Sequence, residues 1–267
     1  MDPELNSEAV STPDNPEQLF KKSLEISQQV ITKLATFAIE NGANPNKLTH
    51  LTQVFSPGGH ILLPPMGIMR KELAKVHGDT ETTRNTQAIT AKKTGQVFVP
   101  EESAGNVHDC LHESIHRASW LYNRLQGLGV NETLLIRAIA TQFGLEVTPE
   151  GKIGPNSPVL QTLNPDDKTG RDELLKGYTD HLKTEVFIIN EGLTEWVTQR
   201  ADGLILENGQ TLNIPEENKR YPYQVEEIEA IREKMFKAGI EQSKVDAILI
   251  TAALTGDVAE LIPYIYK

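Results

Sequence analysis

The stretch VHDCLHESIHRAS, residues 107–119, contains three histidines spaced four residues apart, His108, His112 and His116. Glu113 follows the second of them, so that residues 112–116 have the pattern H-E-x-x-H. On a helix, residues four apart lie on one face, and His112 and His116 can therefore aim their imidazole nitrogens at one point. The apolar residues of this stretch also recur at helical spacing, which predicts a buried helix.

This pattern matches the needs of a catalytic zinc ion. Zinc takes ligands at about 2.0–2.1 Å in a roughly tetrahedral array, and catalytic sites use three protein ligands and leave the fourth position to water. His112 and His116 would supply two ligands. Glu113, beside the first of them, can reach the water as a general base. The pattern alone, however, is also compatible with a histidine-rich helix that binds no metal, and a third ligand has to be found.

The segment INEGLTEWVT, residues 189–198, offers candidates for that ligand. Glu191 and Glu195 are four residues apart on a second strongly helical segment. Glu191 can complete a site of two histidines and one glutamate, and Glu195 can accept the free ring N–H of His112 and fix its orientation. The alternative is a solvated acidic helix face, but both glutamates lie among apolar residues, which favours the metal site.

The pair HESIH and NEGLTEW resembles the gluzincin-type zinc metallopeptidases. In that family the motif helix is followed by a second helix with a glutamate ligand and an acidic residue one turn later. The resemblance implies zinc held by His112, His116 and Glu191, with Glu195 as the orienting carboxylate and Glu113 as the base that activates a zinc-bound water. The spacer of 74 residues between the last histidine and the glutamate ligand is longer than in the best-known gluzincins, so no subfamily is assigned.

Two further features follow from the same resemblance. The strand QVFVP at 96–100 occupies the place of the edge strand that pairs with an extended substrate. The segment RYPYQVEEI at 220–228 resembles a tyrosine-containing segment that stabilises the oxyanion, which makes Tyr221 or Tyr223 the candidate donor. Tyr178 and His181, on the segment that carries the glutamate ligand, are the alternatives, and each tyrosine could equally be packed at a helix start.

Two other residues of the motif segment receive different predictions. His108 lies one turn before His112, and we expect a role beside the substrate, a role behind the ligands or a surface position rather than a fourth ligand, because hydrolysis needs an open coordination position. Cys110 is out of phase with the histidines and is expected to pack as a small apolar residue.

The chain is predicted to be one α+β, mostly helical, zincin-like catalytic domain with a small antiparallel sheet. Residues 1–16 would form a flexible tail, and residues 17–267 the domain, with a sheet and motif-helix part to about 128, a helical part from about 129 and an inserted loop at about 145–170. Helices are expected at 17–41, 68–76, 104–128, 132–143, from 171 to about 203, and at 224–238, 242–255 and 257–265, and strands at 51–55, 60–65, 87–91 and 96–100.

Composition limits the function classes. The net charge of −11, from 26 Lys+Arg and 37 Asp+Glu, argues against binding nucleic acid. The single cysteine excludes an intramolecular disulfide. The acidic N-terminal stretch has no cleavable signal pattern and no apolar run reaches membrane-spanning length, so we expect a cytoplasmic protein or export by another route, and no membrane partner.

The sequence therefore predicts a zinc-dependent endopeptidase that acts on a protein or peptide substrate. Two alternatives remain open. One is a catalytically inactive, metallopeptidase-like binding module, although both histidines and both glutamates are present. The other is a secreted or injected bacterial effector or toxin whose protease acts on one target protein, which would suit the polar N-terminal stretch. The oligomeric state is left open.

Overall fold

A computed structural model describes residues 15–63, 88–91, 94–127, 136–137, 139–141, 144–148, 153–154, 157 and 168–265. Helices dominate these residues, in agreement with the sequence. The elements are α1 (Pro16–Glu40), β1 (His60–Leu63), β2 (Ile89–Thr90), β3 (Val97–Pro100), α2 (Val107–Leu125), α3 (Lys168–Arg200), α4 (Pro222–Lys237), α5 (Gln242–Thr255) and α6 (Ile262–Ile265). No described helix is both long enough and apolar enough to span a bilayer.

Helix α1 begins at a well-formed cap. The side chain of Asn15 accepts a hydrogen bond from the backbone N–H of Gln18, whose own side chain accepts one from the backbone N–H of Asn15, and Pro16 follows the cap. The helix buries an apolar stripe that includes Val30, Ile31 and Leu34, and it packs against α2 and α5. The helix predicted at 17–41 is thereby confirmed.

Helix α2 is the motif helix and lies at the centre of the fold. It contacts α1, α3 and α5 as well as β2 and β3. Asn106 caps it by accepting a hydrogen bond from the backbone N–H of Asp109. Leu111, Ile115 and Ala118 are fully buried in the core on one side. The adjacent face carries the histidines toward α3, so the packing of α2 determines where they point.

The described strands form a three-stranded sheet in the order β1–β3–β2. The longer pairing, β1 with β3, is parallel, and only the short β2 pairs with β3 in the antiparallel sense. The prediction of an antiparallel sheet is therefore wrong for the main pairing. β3 is also wrongly predicted as the edge strand, since it lies between the other two. β1 and β3 are far apart in the chain, and a parallel pair needs such a long connection. A local hairpin pattern cannot indicate this pairing.

The predicted strand at 51–55 is also wrong. Residues Pro45–Gln53 form a 3-10 helix, which begins with Pro45 after Asn44, whose side chain accepts a hydrogen bond from the N–H of Asn46. Leu48 in this segment and Val54 just after it are buried. A short apolar run fits a strand or a buried helical turn equally well. Here the cap at Asn44 and the proline at position 45 favour the helical turn.

The helices after α2 carry the second half of the site. α3 has no buried side chain before Leu182, whereas almost every residue from Ile189 to Thr198 is buried or half-buried. Gly192 lies at its closest approach to α4, where an added Cβ would be 2.6 Å from the carbonyl oxygen of Gln224. α3 and α4 can therefore pack tightly only because residue 192 has no side chain.

Several predictions fall wholly or partly outside the described residues. The tail before residue 15 and the helix predicted at 68–76 lie there. The helix predicted at 132–143 is helical at 136–137 and 139–141. Within the predicted loop at 145–170, Val147 and Ile153 form a β-bridge and α3 already begins at Lys168. The domain boundaries stay a prediction.

Candidate metal centre

Three side chains from α2 and α3 converge at one point. The Nε2 atoms of His112 and His116 lie 3.2 Å apart, and Oε2 of Glu191 lies 3.3 Å from the first and 3.4 Å from the second. Their ligand atoms form a group that can hold a metal ion. The structure thus brings together the three residues that the sequence predicted as ligands.

The spacing of these atoms fits a small tetrahedral cation. A tetrahedron with metal–ligand distances of about 2.0–2.1 Å has edges of about 3.3–3.4 Å. The three measured separations, from 3.2 to 3.4 Å, match one face of such a tetrahedron. The same face suits zinc with two nitrogen ligands and one carboxylate oxygen, and it leaves the fourth corner without a protein ligand among the described residues.

Glu195 contacts His112 through the ring nitrogen that does not face Glu191. Its Oε2 atom lies 3.1 Å from Nδ1 of His112, so a proton on Nδ1 is donated to the carboxylate. Nε2 then points a lone pair at the second histidine and at Glu191. Three lone pairs facing one another need a cation between them, either a proton or a metal ion. This arrangement agrees with the predicted orienting role of Glu195, which stays a prediction until it is measured.

The charges of the metal-free centre also show that these three side chains require a positive charge between them. Burial opposes a charge on His112, but hydrogen bonds to Glu191 and Glu195 outweigh it and raise the pKa of His112 to about 10. Burial likewise opposes ionisation of Glu191, yet the charge of His116 and the hydrogen bonds of both imidazoles hold the pKa of Glu191 well below its ordinary value. The metal-free centre therefore holds an anionic carboxylate, that of Glu191, beside a cationic imidazole, that of His112.

The second histidine has its own support. Nδ1 of His116 lies 3.4 Å from the hydroxyl oxygen of Thr194, one turn after Glu191 on α3. A hydrogen bond there leaves Nε2 of His116 free for a ligand role, as Glu195 does for His112. Thr194 is fully surrounded by protein, which fixes its hydroxyl beside the ring.

A buried polar network surrounds Glu195. Its Oε1 atom accepts hydrogen bonds from Nε2 of His108 at 3.1 Å, from the side-chain amide of Gln199 at 2.8 Å and from the backbone N–H of Arg220 at 2.8 Å. His108 is thus neither a surface residue nor a fourth ligand; it lies behind the ligands, one of the positions left open for it. Burial opposes the charge on His108, but the hydrogen bonds that its ring donates to the carboxylates of Asp109 and Glu195 raise its pKa.

The sequence did not single out Asp109 and Arg220. Oδ1 of Asp109 lies 3.0 Å from a terminal nitrogen of Arg220, and Asp109 is almost completely buried. This ion pair ties the motif helix to the segment just before α4. The only sequence signal was the position of Asp109 within the motif itself, because its partner lies more than a hundred residues later in the chain.

Tyr221 lies directly over the centre. Its ring stacks on that of His112 with centroids 5.8 Å apart and planes inclined by 22°. Tyr221 has φ +53° and ψ +45°, and it is the one non-glycine residue with positive φ in the described chain. Such strain costs free energy and persists only where the surroundings impose it, which is typical of functional positions. Burial and the charges of Glu191 and Glu113 raise the pKa of Tyr221, so its hydroxyl stays protonated.

The other candidate oxyanion donors are less favourably placed. Tyr223 is 55 % exposed, and its hydroxyl hydrogen-bonds Glu227 on its own helix. Tyr178 and His181 precede Glu191 on α3 by 13 and 10 residues. At about 1.5 Å per residue these positions are about 20 and 15 Å along the helix axis from the ligand. Of the four candidates, the geometry favours Tyr221.

Glu113 is held by the sheet. The hydroxyl of Thr90 on β2 donates a hydrogen bond to Oε2 of Glu113 at 2.6 Å and also lies 3.1 Å from its backbone oxygen. The carboxylate of Glu113 is close enough to contribute to the raised pKa values of both His112 and Tyr221. Thr90 was not predicted, because no local pattern links a strand residue to a helix residue 23 positions later.

Cys110 is fully buried with Val97 and Val99, and burial raises the pKa of its thiol to about 12. Its predicted role as a small packing residue is confirmed.

Comparison of the chain with protein-family models, with curated proteins and with solved structures returns no match. The assignment of a function therefore depends on the geometry of this centre.

Proposed function

We propose that this protein is a zinc-dependent endopeptidase that hydrolyses a peptide bond in a protein or peptide substrate. The observation that carries the proposal is the convergence of Nε2 of His112, Nε2 of His116 and Oε2 of Glu191 at the spacing of a tetrahedral zinc site. Bound zinc would act as a Lewis acid that polarises the carbonyl of the substrate and acidifies water.

Glu113 would act as the general base. Its carboxylate accepts the hydrogen bond of Thr90 through one oxygen, which leaves the other oxygen to accept a proton from the attacking water. The same carboxylate would then give that proton to the leaving amine. Because Glu113 follows the first ligand directly, the backbone of α2 carries both the ligand and the base.

Tyr221 would donate a hydrogen bond to the oxyanion. Its hydroxyl remains protonated because burial and the neighbouring carboxylates raise its pKa. Its position is imposed from three sides: by the stacking on His112, by the hydrogen bond from the N–H of Arg220 to Glu195, and by the close approach of α4 to Gly192. A donor that needs no reorganisation stabilises the transition state most effectively.

The extended substrate would lie along β2. This strand is an outer strand of the described sheet, and its Thr90 contacts the general base, so that a peptide paired with β2 would pass beside Glu113. The role first expected for the strand at 96–100 thus belongs to its neighbour. The charge of −11 favours a neutral or basic partner protein.

Metal analysis is the first test. The full chain, purified without a histidine tag, should contain about one zinc per chain, and His112→Ala and Glu191→Ala should lose it. His181→Ala, a histidine on the exposed part of α3, is the matched control and should keep the metal. Zinc retained in Glu191→Ala would place the third ligand elsewhere.

Turnover is the second test. The zinc-loaded protein should cleave peptides from a mixed library, and Glu113→Gln should keep the metal and lose about 10²–10⁴-fold in rate. The alternative of an inactive binding module predicts zinc without cleavage and a cellular phenotype that Glu113→Gln leaves unchanged. The alternative of an exported or injected effector shares the chemistry, and deletion of the N-terminal residues would then block export without reducing cleavage.

A further inference from the structure

Phe187 is an exposed aromatic residue next to the candidate metal centre. Its side chain is 48 % exposed, whereas Val186 and Ile189 beside it on α3 are buried. It precedes Glu191 by four residues, so that both side chains lie on the same side of the helix, one turn apart. A single exposed apolar residue is ordinary in itself, and what distinguishes Phe187 is the set of ring contacts that joins it to the candidate metal centre.

Phe187 is joined to the centre by aromatic contacts. Its ring meets that of Tyr221 edge-on, with centroids 6.1 Å apart and planes inclined by 77°, and Tyr221 in turn stacks on His112. The three rings form a continuous row that leads from the metal ligand to the surface. One edge of this row is solvated at Phe187 and the other is buried at the ligand.

The row is rigid. Tyr221 is held in its strained backbone conformation by the surroundings described above, and the ion pair of Arg220 with Asp109 ties the preceding residue to the motif helix. Phe187 is carried by a continuous helix. A preformed pair of rings loses little entropy when a third ring is added, and aromatic rings favour edge-to-face or offset contacts with one another.

We propose that Phe187 and Tyr221 form a subsite that binds an aromatic side chain of the substrate, next to the bond that is cleaved. This proposal depends on the proposed function for its biological meaning, but the binding itself does not need turnover. It makes Phe187 a specificity-determining residue, and it gives the substrate class as peptides with phenylalanine, tyrosine or tryptophan beside the scissile bond.

The test uses equilibrium binding to full-length, zinc-loaded Glu113→Gln protein, which would hold a peptide without cleaving it. Three blocked pentapeptides that differ only in a central phenylalanine, leucine or alanine are compared by calorimetry or NMR titration. The phenylalanine peptide should bind at least about fivefold more tightly than the alanine peptide, and more tightly than the leucine peptide. Adding Phe187→Ala should reduce the discrimination to less than about twofold.

Leu125→Ala is the matched control, since Leu125 is a similarly exposed apolar residue (54 %) at the far end of α2. It should leave the discrimination unchanged. Equal binding of the three peptides, no detectable binding of any, or discrimination that survives Phe187→Ala would overturn the subsite. So would a change from dimer to monomer on Phe187→Ala in sedimentation, because a second copy of the chain would then cover this residue. Discrimination without cleavage by the wild type would instead refute the proposed function alone.

Discussion

The hydroxyl of Thr90 donates a 2.6 Å hydrogen bond to the carboxylate of Glu113, and this contact links the outer strand β2 to the motif helix. Hydrogen bonds to an ionised acceptor are short and stronger than neutral ones. The strand expected to bind the substrate and the residue expected to activate the water are thus positioned by one contact.

Thr90→Val should therefore slow turnover without removing zinc. The substitution keeps the shape of the side chain and removes the donor, so we expect kcat to fall about tenfold or more while KM changes little. Steady-state kinetics with parallel metal analysis would measure this. Thr90→Ser keeps the hydroxyl and should restore most of the rate; a serine variant as slow as the valine variant would show that Thr90 acts only through packing.

Gly192→Ala should destabilise the protein and displace Tyr221. The new Cβ would lie 2.6 Å from a backbone oxygen at the start of α4, and such overpacking costs about 1–3 kcal/mol in the free energy of unfolding. Chemical denaturation would measure the loss. Gly177→Ala on the same helix is the control: its added Cβ meets nothing within 4 Å, and it should stabilise the helix by about 0.5–1 kcal/mol. Equal effects of the two substitutions would contradict the tight approach.

Zinc binding should release a proton from His112. With a pKa of about 10 in the metal-free protein, His112 is protonated at neutral pH, and its Nε2 lone pair becomes available to a metal only when that proton leaves. The apparent zinc affinity should therefore weaken as the pH falls. Calorimetry in two buffers of different ionisation enthalpy would count the protons. Glu195→Gln removes the carboxylate that stabilises the charged ring, so this variant should release fewer protons on binding zinc. If the wild type released none, the protonated state of His112 would be refuted.

The raised pKa of His112 also determines how the stability of the metal-free protein depends on pH. The pKa of His112 is raised on folding, so its charged form stabilises the fold fully below the unfolded value of about 6.5. That contribution is lost as the pH rises toward about 10. Zinc-loaded protein should lack this loss, which thermal melts across pH 6–10 with and without a chelator would show.

His60 should make the protein sensitive to acid. Burial, and then the charge of Arg117, lower the pKa of His60 to about 3, and its Nε2 lies 2.9 Å from the hydroxyl of Ser114. Between about pH 6.5 and 3 the unfolded chain binds a proton that the folded chain does not, so stability falls with falling pH by up to about 1.4 kcal/mol per pH unit from this group. His60→Gln should flatten that slope in urea titrations. His50, whose pKa burial also lowers, should keep some slope in the variant.

The sequence predicted most of the described helices because they depend on local periodicity, although the helix predicted at 257–265 is confined to Ile262–Ile265. It predicted the three candidate ligands from helical spacing together with the family resemblance. The spacing of His112 and His116 places them on one face of any helix, and the apolar neighbours of Glu191 indicated that its helix is buried. By contrast, the parallel pairing of β1 with β3 and the central position of β3 depend on contacts between distant segments. The 3-10 helix at 45–53 depends on a cap that competes with a strand-like pattern.

The residues that hydrogen-bond the site side chains could not be predicted from the sequence, because these contacts also join distant segments. Thr90, Asp109 and Arg220 contact residues that are distant in the chain or belong to another element, and none of them belongs to a periodic pattern. His108 was left open because the rotation of the helix relative to Glu195 cannot be predicted without the packing of α3. Tyr221 differs from the exposed Tyr223 in its stacking on His112 and in its backbone conformation, and both features depend on tertiary packing rather than on a local pattern.

The ligands of the candidate metal centre come from two helices, and 74 residues of chain separate His116 from Glu191. During synthesis, the motif helix leaves the ribosome well before Glu191 does, and for that interval the chain offers a metal only two histidines. On the proposed function, the growing chain can bind peptides or cleave them only after α3 has docked on α2. The three-residue centre can therefore be completed only after the second ligand segment has been synthesised and has docked on the first.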